Sequence, residues 1–519
     1  MPGELLAADQ AGFPVLSVLV LFPALAALGV LAIKNPHLAA RVAVAAAGIE
    51  LAGVIALALA LRAGIADMQF VERVPIGSGV SWHLGVDGMS VMFLPLIALL
   101  ALMVIGYSEH TTPAHREPGD PPMAGTARGY AIAILALEAT MIGAFVALDL
   151  IVFWVMFVAE LVPSWFLIDR WGTGPDRRDA ARSYVGYVGA ASVAMLVGIV
   201  AAAAAHDGGM SFELARLVEP GLGADEQVWP FLLIMLGLAV KAPFFPFHAW
   251  LPKVLEHGPI VGMSVFLVGI KLGTYGMIRF VVPMFPDAIR ALAVPLMALG
   301  AAGIVYGAIL ALGQTNLRRL LGFASVSHMG VVLLGIATLN LDGFEGSLLQ
   351  MINLGIVGAG LFFIAGFLSA RIGPPELDTL GGLVSRAPLM TAAFLVVAIA
   401  GIGLPGTNGF NGEHLVMLGG YRQGWWVAIA AGLGVFLTAA YSLWYFQRAF
   451  LGEGKEKTIE RFYDLTYVER VIVATLTVLI FWIGLGTSPF IHRMRPPLAW
   501  LEDRVEQTVP GPAVGEVLP

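Results

Sequence analysis

Fourteen apolar runs follow one another along this chain, each close to the length that crosses a bilayer. A spanning helix needs about 20 residues, and such runs occupy 14–33, 39–62, 88–107, 130–147, 150–168, 184–205, 229–245, 259–282, 288–312, 320–338, 345–370, 388–404, 424–447 and 469–490. With 58% hydrophobic and 13% charged residues, and a mean hydropathy of +0.84, a water-soluble core cannot hide this much apolar surface. Backbone polar groups in lipid must be satisfied within the segment. The expected fold is therefore an all-α polytopic membrane protein with about 14 transmembrane helices.

Loops after odd-numbered helices carry 18 Lys and Arg residues, and loops after even-numbered helices carry 6. Because cationic loops mark the cytoplasmic side, both termini are expected on the opposite side. The first cation, Lys34, follows the first apolar run, so helix one reads as retained rather than as a cleaved signal. A net charge of −7 gives no indication of nucleic-acid binding.

The absence of cysteine excludes thiolate-ligated iron–sulfur clusters and disulfides on this chain, and no glycine-rich phosphate loop is present. No cofactor is expected here. His248, His257 and Glu256 come nearest to a metal-ligand set, but no further ligand lies close in sequence, so no metal is expected.

Two helices carry internal breaks. "VKAPFFPF" interrupts the seventh and "GIGLPGTNGFNGE" the twelfth, and Pro243 and Pro405 lie 162 positions apart. Helices four and nine begin at a similar offset. The pattern implies two five-helix repeats, the second inverted because each unit crosses an odd number of times, with ion sites at the broken helices. The expected division is residues 1–127 for helices one to three and a cytoplasmic loop, 128–287 and 288–450 for the two repeats, and 451–519 for helix fourteen and a tail. The Pro- and Gly-rich stretch 109–129 reads as the cytoplasmic loop, and the segment after 491 as a short tail ending in a disordered Pro/Gly stretch.

Charges inside these helices carry the functional reading. Lys241 lies twelve residues after Trp229, and Lys271 twelve after Pro259, roughly 18 Å into each helix. A lysine at mid-membrane costs at least about 2.5–3.5 kcal/mol. Acidic partners are available in Glu160, in "FVAELVPSW", and Glu413, just past the break of helix twelve; Glu138, mid-helix in "LALEATMIG", could serve equally as packing glue. Asp149 reads as a solvated turn residue. His328 shares the mid-depth zone of the lysines beside Ser325 and Ser327, whereas His248 reads as part of an interfacial segment near the break. Desolvated lysine and neutral imidazole are the groups a proton path requires.

"LAVKAPFFPFHAWLPKVLEHGPIVGMSVFLVGIKLGTYGMIRF", "GQTNLRRLLGFASVSHMGVVLLGIATL", "LGVDGMS" and "GLPGTNGFNGEHLVMLGG" closely resemble the antiporter-like membrane subunits of respiratory complex I, over roughly residues 80 to 450. The M type is the nearest match, since only 29 residues follow helix fourteen and the L type carries a long lateral helix there. The resemblance implies proton translocation in a bacterial inner membrane, driven by electron transfer elsewhere in a complex I-like NAD(P)H or ferredoxin:quinone oxidoreductase. Quinone, FMN and iron–sulfur clusters would then reside on partner subunits, and L-, N- and K-type membrane subunits would be neighbours. Lys241, Lys271, His328 and Glu413 match family positions on the proton path. Two positions depart: Val158 stands where the family usually places its helix-five glutamate, and Leu354, next to Asn353, where it has a helix-eleven histidine. Two residues turn a helix by about 200°, so Glu160 is expected to face away from the position the missing carboxylate would take. Two other functions share these motifs: a D-type subunit of a multisubunit sodium/proton antiporter, and a specialised non-pumping or inorganic-carbon-uptake paralogue.

Overall fold

The computed structural model describes residues 2–110, 126–206, 209–219, 221–453 and 462–507. Most of the long loop expected to be cytoplasmic and the last twelve residues, including the stretch expected to be disordered, lie outside that set. Helix covers the expected segments: one to four are Val15–Ala32, Pro36–Ala60, Phe93–His110 and Ala127–Val146, five is Leu150–Ala159 with Leu161–Trp171, and six is Arg177–Ala205. Helix seven is Ala224–Lys241 and, beyond its break, Trp250–His257; eight begins as Met263–Gly269 and Lys271–Gly276. Nine to eleven are Ala293–Leu312, Leu317–Ala337 and Leu341–Ile372. Twelve is Pro388–Ile402 with Asn408–Gln423, thirteen Trp425–Phe446 and fourteen Tyr467–Leu485. Eleven helices among the described residues are long and apolar enough to cross a bilayer; Phe93–Ser108 and Pro388–Ile402 are shorter apolar runs.

Burial separates the inner helices from the outer ones. Within their most apolar stretch helices eight, ten and eleven are 100%, 89% and 89% buried, against 33% for helices one, two and nine and 28% for thirteen and fourteen. An apolar helix buried all round belongs to the centre of a large assembly of helices. The central three carry Lys271, His328 and Gln350.

Side chains that can accept from free backbone amides start several helices. Asn35, Asn316 and Asn340 each cap the helix that follows. Asp149 does the same for helix five, accepting from the amides of Ile151 and Val152 and also from that of Ser81. This corrects the solvated reading of Asp149, which is fully buried because three donors converge on its carboxylate.

One element was not anticipated. A small sheet orders β1 (Glu4–Leu6), β2 (Met68–Gly77) and β3 (Val80–Val86), with β1 parallel and β3 antiparallel to β2. Ser78 and Gly79 make the tight turn with φ of 53° and 79°, the left-handed geometry that two-residue hairpins need. Glu72 on β2 accepts from the amides of Leu16 and Ser17 at the start of helix one, and Arg73 pairs with Glu213 in the loop between helices six and seven.

Two further readings change. Arg279, one of the six cations counted in loops after even-numbered helices, is buried in a π turn, Met277–Val281, that continues helix eight; it bonds Asp87 Oδ2 and Oδ1 at 2.9 and 2.5 Å and the Tyr275 hydroxyl at 3.0 Å. The segment after 488 is no loose tail through Glu506. It forms a helix, Ser488–Glu506, held by Arg495 on Glu345 at 2.6 Å and by Glu502, which accepts from the amide of Leu341 at 2.8 Å. Pro496 and Pro497 are accommodated inside it.

Candidate proton path

Three of the five expected path residues sit where a helix is irregular, and a fourth lies shortly after a break. Glu160 is the junction between the two parts of helix five, Lys241 ends the first part of helix seven, Lys271 starts the second part of helix eight, and Glu413 follows the break of helix twelve. Irregular backbone at membrane depth is tolerated where it is enclosed by protein or lines a polar path, so the positions of these charges and of the breaks are one feature.

The Lys241 ammonium donates to Glu160 Oε2 and, at 2.8 Å, to the Tyr184 hydroxyl. Lysine and glutamate are both fully buried. Ser164 Oγ lies 3.4 Å from the other carboxylate oxygen of Glu160, and the Tyr184 and Phe157 rings stand 5.3 and 5.5 Å from the ammonium. Gly269 on helix eight makes room for the acid, since a Cβ there would lie 2.5 Å from Glu160 Oε1.

The expectation that Glu160 faces away is therefore wrong. It assumed one straight helix, whereas the first part ends at Ala159, Glu160 is a junction residue, and Pro163 follows in the first turn of the second part. Val158 is half-buried against the apolar core.

Helix eight approaches the break of helix seven beside Lys271. A Cβ on Gly273 would lie 2.5 Å from the Leu238 carbonyl oxygen and 2.7 Å from Ala242 Cβ, so only glycine permits the approach. Lys271 is 3% exposed and has no hydrogen bond or ion pair to a side chain among the described residues; its charge is felt at His328 on helix ten.

His328 joins the far end of the line. Its Nδ1 is 3.9 Å from Glu413 Oε1 and its Nε2 3.3 Å from the Tyr441 hydroxyl, which itself donates to Thr438 Oγ1 at 3.2 Å. Gln350 Nε2 donates to Glu413 Oε1 at 3.2 Å, while Glu413 Oε2 has no hydrogen-bond partner among the described residues. That free oxygen faces Gly403, whose φ of +79° and missing Cβ, which would lie 2.4 Å away, fit the close approach. A carboxylate seated against a glycine thus occurs at both ends of the line.

The secondary residues lie elsewhere. Asn353 Nδ2 donates to the Asn408 carbonyl at 2.6 Å, at the start of the second part of helix twelve, and is not bonded to His328 or Glu413. His248 is buried rather than interfacial, its ring 5.0 Å from that of Tyr306 and 5.9 Å from that of Phe245. Glu138 is fully buried, with neither oxygen bonded among the described residues. Sequence reasoning missed Tyr184, Gln350 and Tyr441; a hydroxyl or amide on a largely apolar helix marked each, but nothing in one sequence showed which way it pointed.

Residues 147–438, more than half of the chain, match the membrane family described as NADH:quinone oxidoreductase/Mrp antiporter. The chain is also 36% identical over 445 residues to NADH-quinone oxidoreductase subunit M of Rhodobacter capsulatus, spanning 84% of each. It belongs to this family. Its M-type character extends to F(420)H(2) dehydrogenase subunit M of Methanosarcina mazei, 33% identical over 93% of this chain and 96% of that one. Among solved structures, a chain of respiratory complex I from Thermus thermophilus with bound NADH superposes with a TM-score of 0.84 at 29% identity, covering 95% of this chain and 99% of the other.

Proposed function

We propose that this M-type subunit moves protons across a bacterial inner membrane, along Glu160, Lys241, Lys271, His328 and Glu413, as part of a complex I-like oxidoreductase. The observation that carries the reading is the fully buried Lys241–Glu160 pair at two helix irregularities, continued by an unpaired lysine and a histidine beside a half-bonded carboxylate. Charge movement that draws Glu160 away from Lys241 would weaken the lysine's hold on its proton, and its return would restore it. At low dielectric a shift of a few ångströms is enough to decide between the two states.

Electron transfer belongs to partner chains carrying FMN, iron–sulfur clusters and quinone, with NADH, ferredoxin or F420 as donor; L-, N- and K-type membrane subunits are the proposed neighbours, and both termini are placed outside the cytoplasm. The inverted five-helix organisation gains support from helices eight and thirteen, which both run on into π turns, Met277–Val281 with Arg279 and Gln447–Leu451 with Arg448.

Reconstitution of the complex with Lys241→Ala tests the assignment: quinone reduction with an unchanged proton-to-electron ratio would sink it. Transport that persists with no electron transfer would favour instead the Mrp-type sodium/proton exchange named in the family description.

A further inference from the structure

A second pair of acids lies outside the lysine line. Glu50 stands near the middle of helix two and Glu138 near the middle of helix four, exposed by 1% and 0%. All four carboxyl oxygens are buried without a hydrogen-bond partner among the described residues. The two helices pack against each other, and Glu50 is the charged group felt at Glu138.

Among the described residues, neither acid has an ion-pair partner. Helix one, which packs on both, carries no ionisable residue, and those of helix three are confined to its last turn. His37 and Arg41 lie at the start of helix two, Arg41 about 13 Å along the axis from Glu50. Arg128 and Tyr130 open helix four, and Arg128 turns away to donate to the Ile33 carbonyl at 2.8 Å. The first parts of helices five and eight have no ionisable side chain. Of the parts that follow them, helix five carries Asp169 and Arg170 in its last turn, with Glu160 already bonded to Lys241, and helix eight carries Lys271 and Tyr275.

An ionised carboxylate with neither hydrogen bond nor cation is too costly at membrane depth, and two within range of each other cannot both be charged. We infer that Glu50 and Glu138 form a proton-binding dyad, built from helices two and four, that exchanges protons with the Glu160–Lys241 pair. The connection is short. Met141, one turn after Glu138, and Glu160 converge on the same notch, since a Cβ on Gly269 would lie 3.4 Å from Met141 Sδ and 2.5 Å from Glu160 Oε1. One turn is about 5 Å along helix four. The exchange rests on the function proposed above; occupancy of the dyad by protons does not.

Infrared spectroscopy of the intact complex in liposomes, combined with labelling by a hydrophobic carbodiimide that attacks protonated carboxyls, separates the two. The expected result is a carboxylic-acid carbonyl band at neutral pH that is lost in Glu138→Gln, displaced in Glu50→Gln and retained in Glu50→Asp, with label mapped to one of the two acids. No such band and no label at either residue would overturn the dyad, as would a band that follows sodium concentration and ignores pH. For the exchange, the proton-to-electron ratio should fall in Glu50→Gln as it does in Lys241→Met. A ratio lowered by Lys241→Met alone would overturn exchange and leave the main path standing, whereas a ratio unchanged in Lys241→Met would overturn the path while the band still decides the dyad.

Discussion

Glu160 and Lys241 lie 81 residues apart in sequence and meet as a hydrogen-bonded ion pair with no solvent contact. Removing one partner strands a charge in the bilayer interior. Glu160→Ala or Lys241→Ala should each destabilise the subunit by about 3–5 kcal/mol. The double replacement Glu160→Leu with Lys241→Met should recover much of that loss without restoring transport. Thermal unfolding of the purified complex, read beside proton pumping, checks both; a double variant less stable than either single one would contradict the pairing.

The two glycines facing carboxylates should be intolerant of a single methyl group. Gly269→Ala would press on Glu160, and Gly403→Ala would press on Glu413 and strain a left-handed backbone as well. Both should lower pumping, and Gly403→Ala should also cost stability. Gly48, with open space around its missing Cβ, is the control and should accept alanine without loss of activity.

Arg279 and Asp87 tie the π turn of helix eight to the end of the hairpin through two hydrogen bonds. Asp87→Ala should cost about 3–5 kcal/mol because the guanidinium stays buried without its acid, and Arg279→Lys should rescue only part because a lysine cannot make the two-pronged contact. The melting temperature and the yield of assembled complex report the difference.

Outside the membrane, Glu213 supplies a pH dependence. Burial raises its carboxyl pKa, but the Ser81 hydrogen bond and the Arg73 guanidinium overcome this and hold it below the ordinary 4.5. A depressed acid contributes stability that is fully present above the ordinary value and is lost as the pH falls through the folded one. Hydrogen exchange of residues 69–86 should stay protected as the pH is lowered through about 4.5, and Arg73→Leu should move the loss of protection to higher pH.

Much of this was legible from the chain alone, for identifiable reasons. A run of about 20 apolar residues has few ways to satisfy its backbone other than as a helix in lipid, and a lysine within such a run announces itself by its cost. The hairpin escaped because its alternation is short and lies between much stronger signals. Glu160 was misdirected because sequence gives the rotation of one uninterrupted helix and not where that helix will be interrupted. The helix Ser488–Glu506 was hidden by its two prolines, and Gln350 by the fact that an amide on an apolar helix says nothing of which neighbour it will meet.

The placement of ionisable groups at helix junctions has a mechanical consequence. A side chain rooted in the shaft of a helix can move only by changing rotamer or by carrying the whole rod with it. One rooted at a joint can be re-aimed by a small rotation of either half, leaving the rods packed. Glu160, Lys241 and Lys271 stand at such joints, while Glu413 and His328 stand within unbroken helical segments. Glu160 and the two lysines are thus on pivots, and the histidine and the second acid are on fixed posts, so any stroke passing through this subunit would turn the former about the latter.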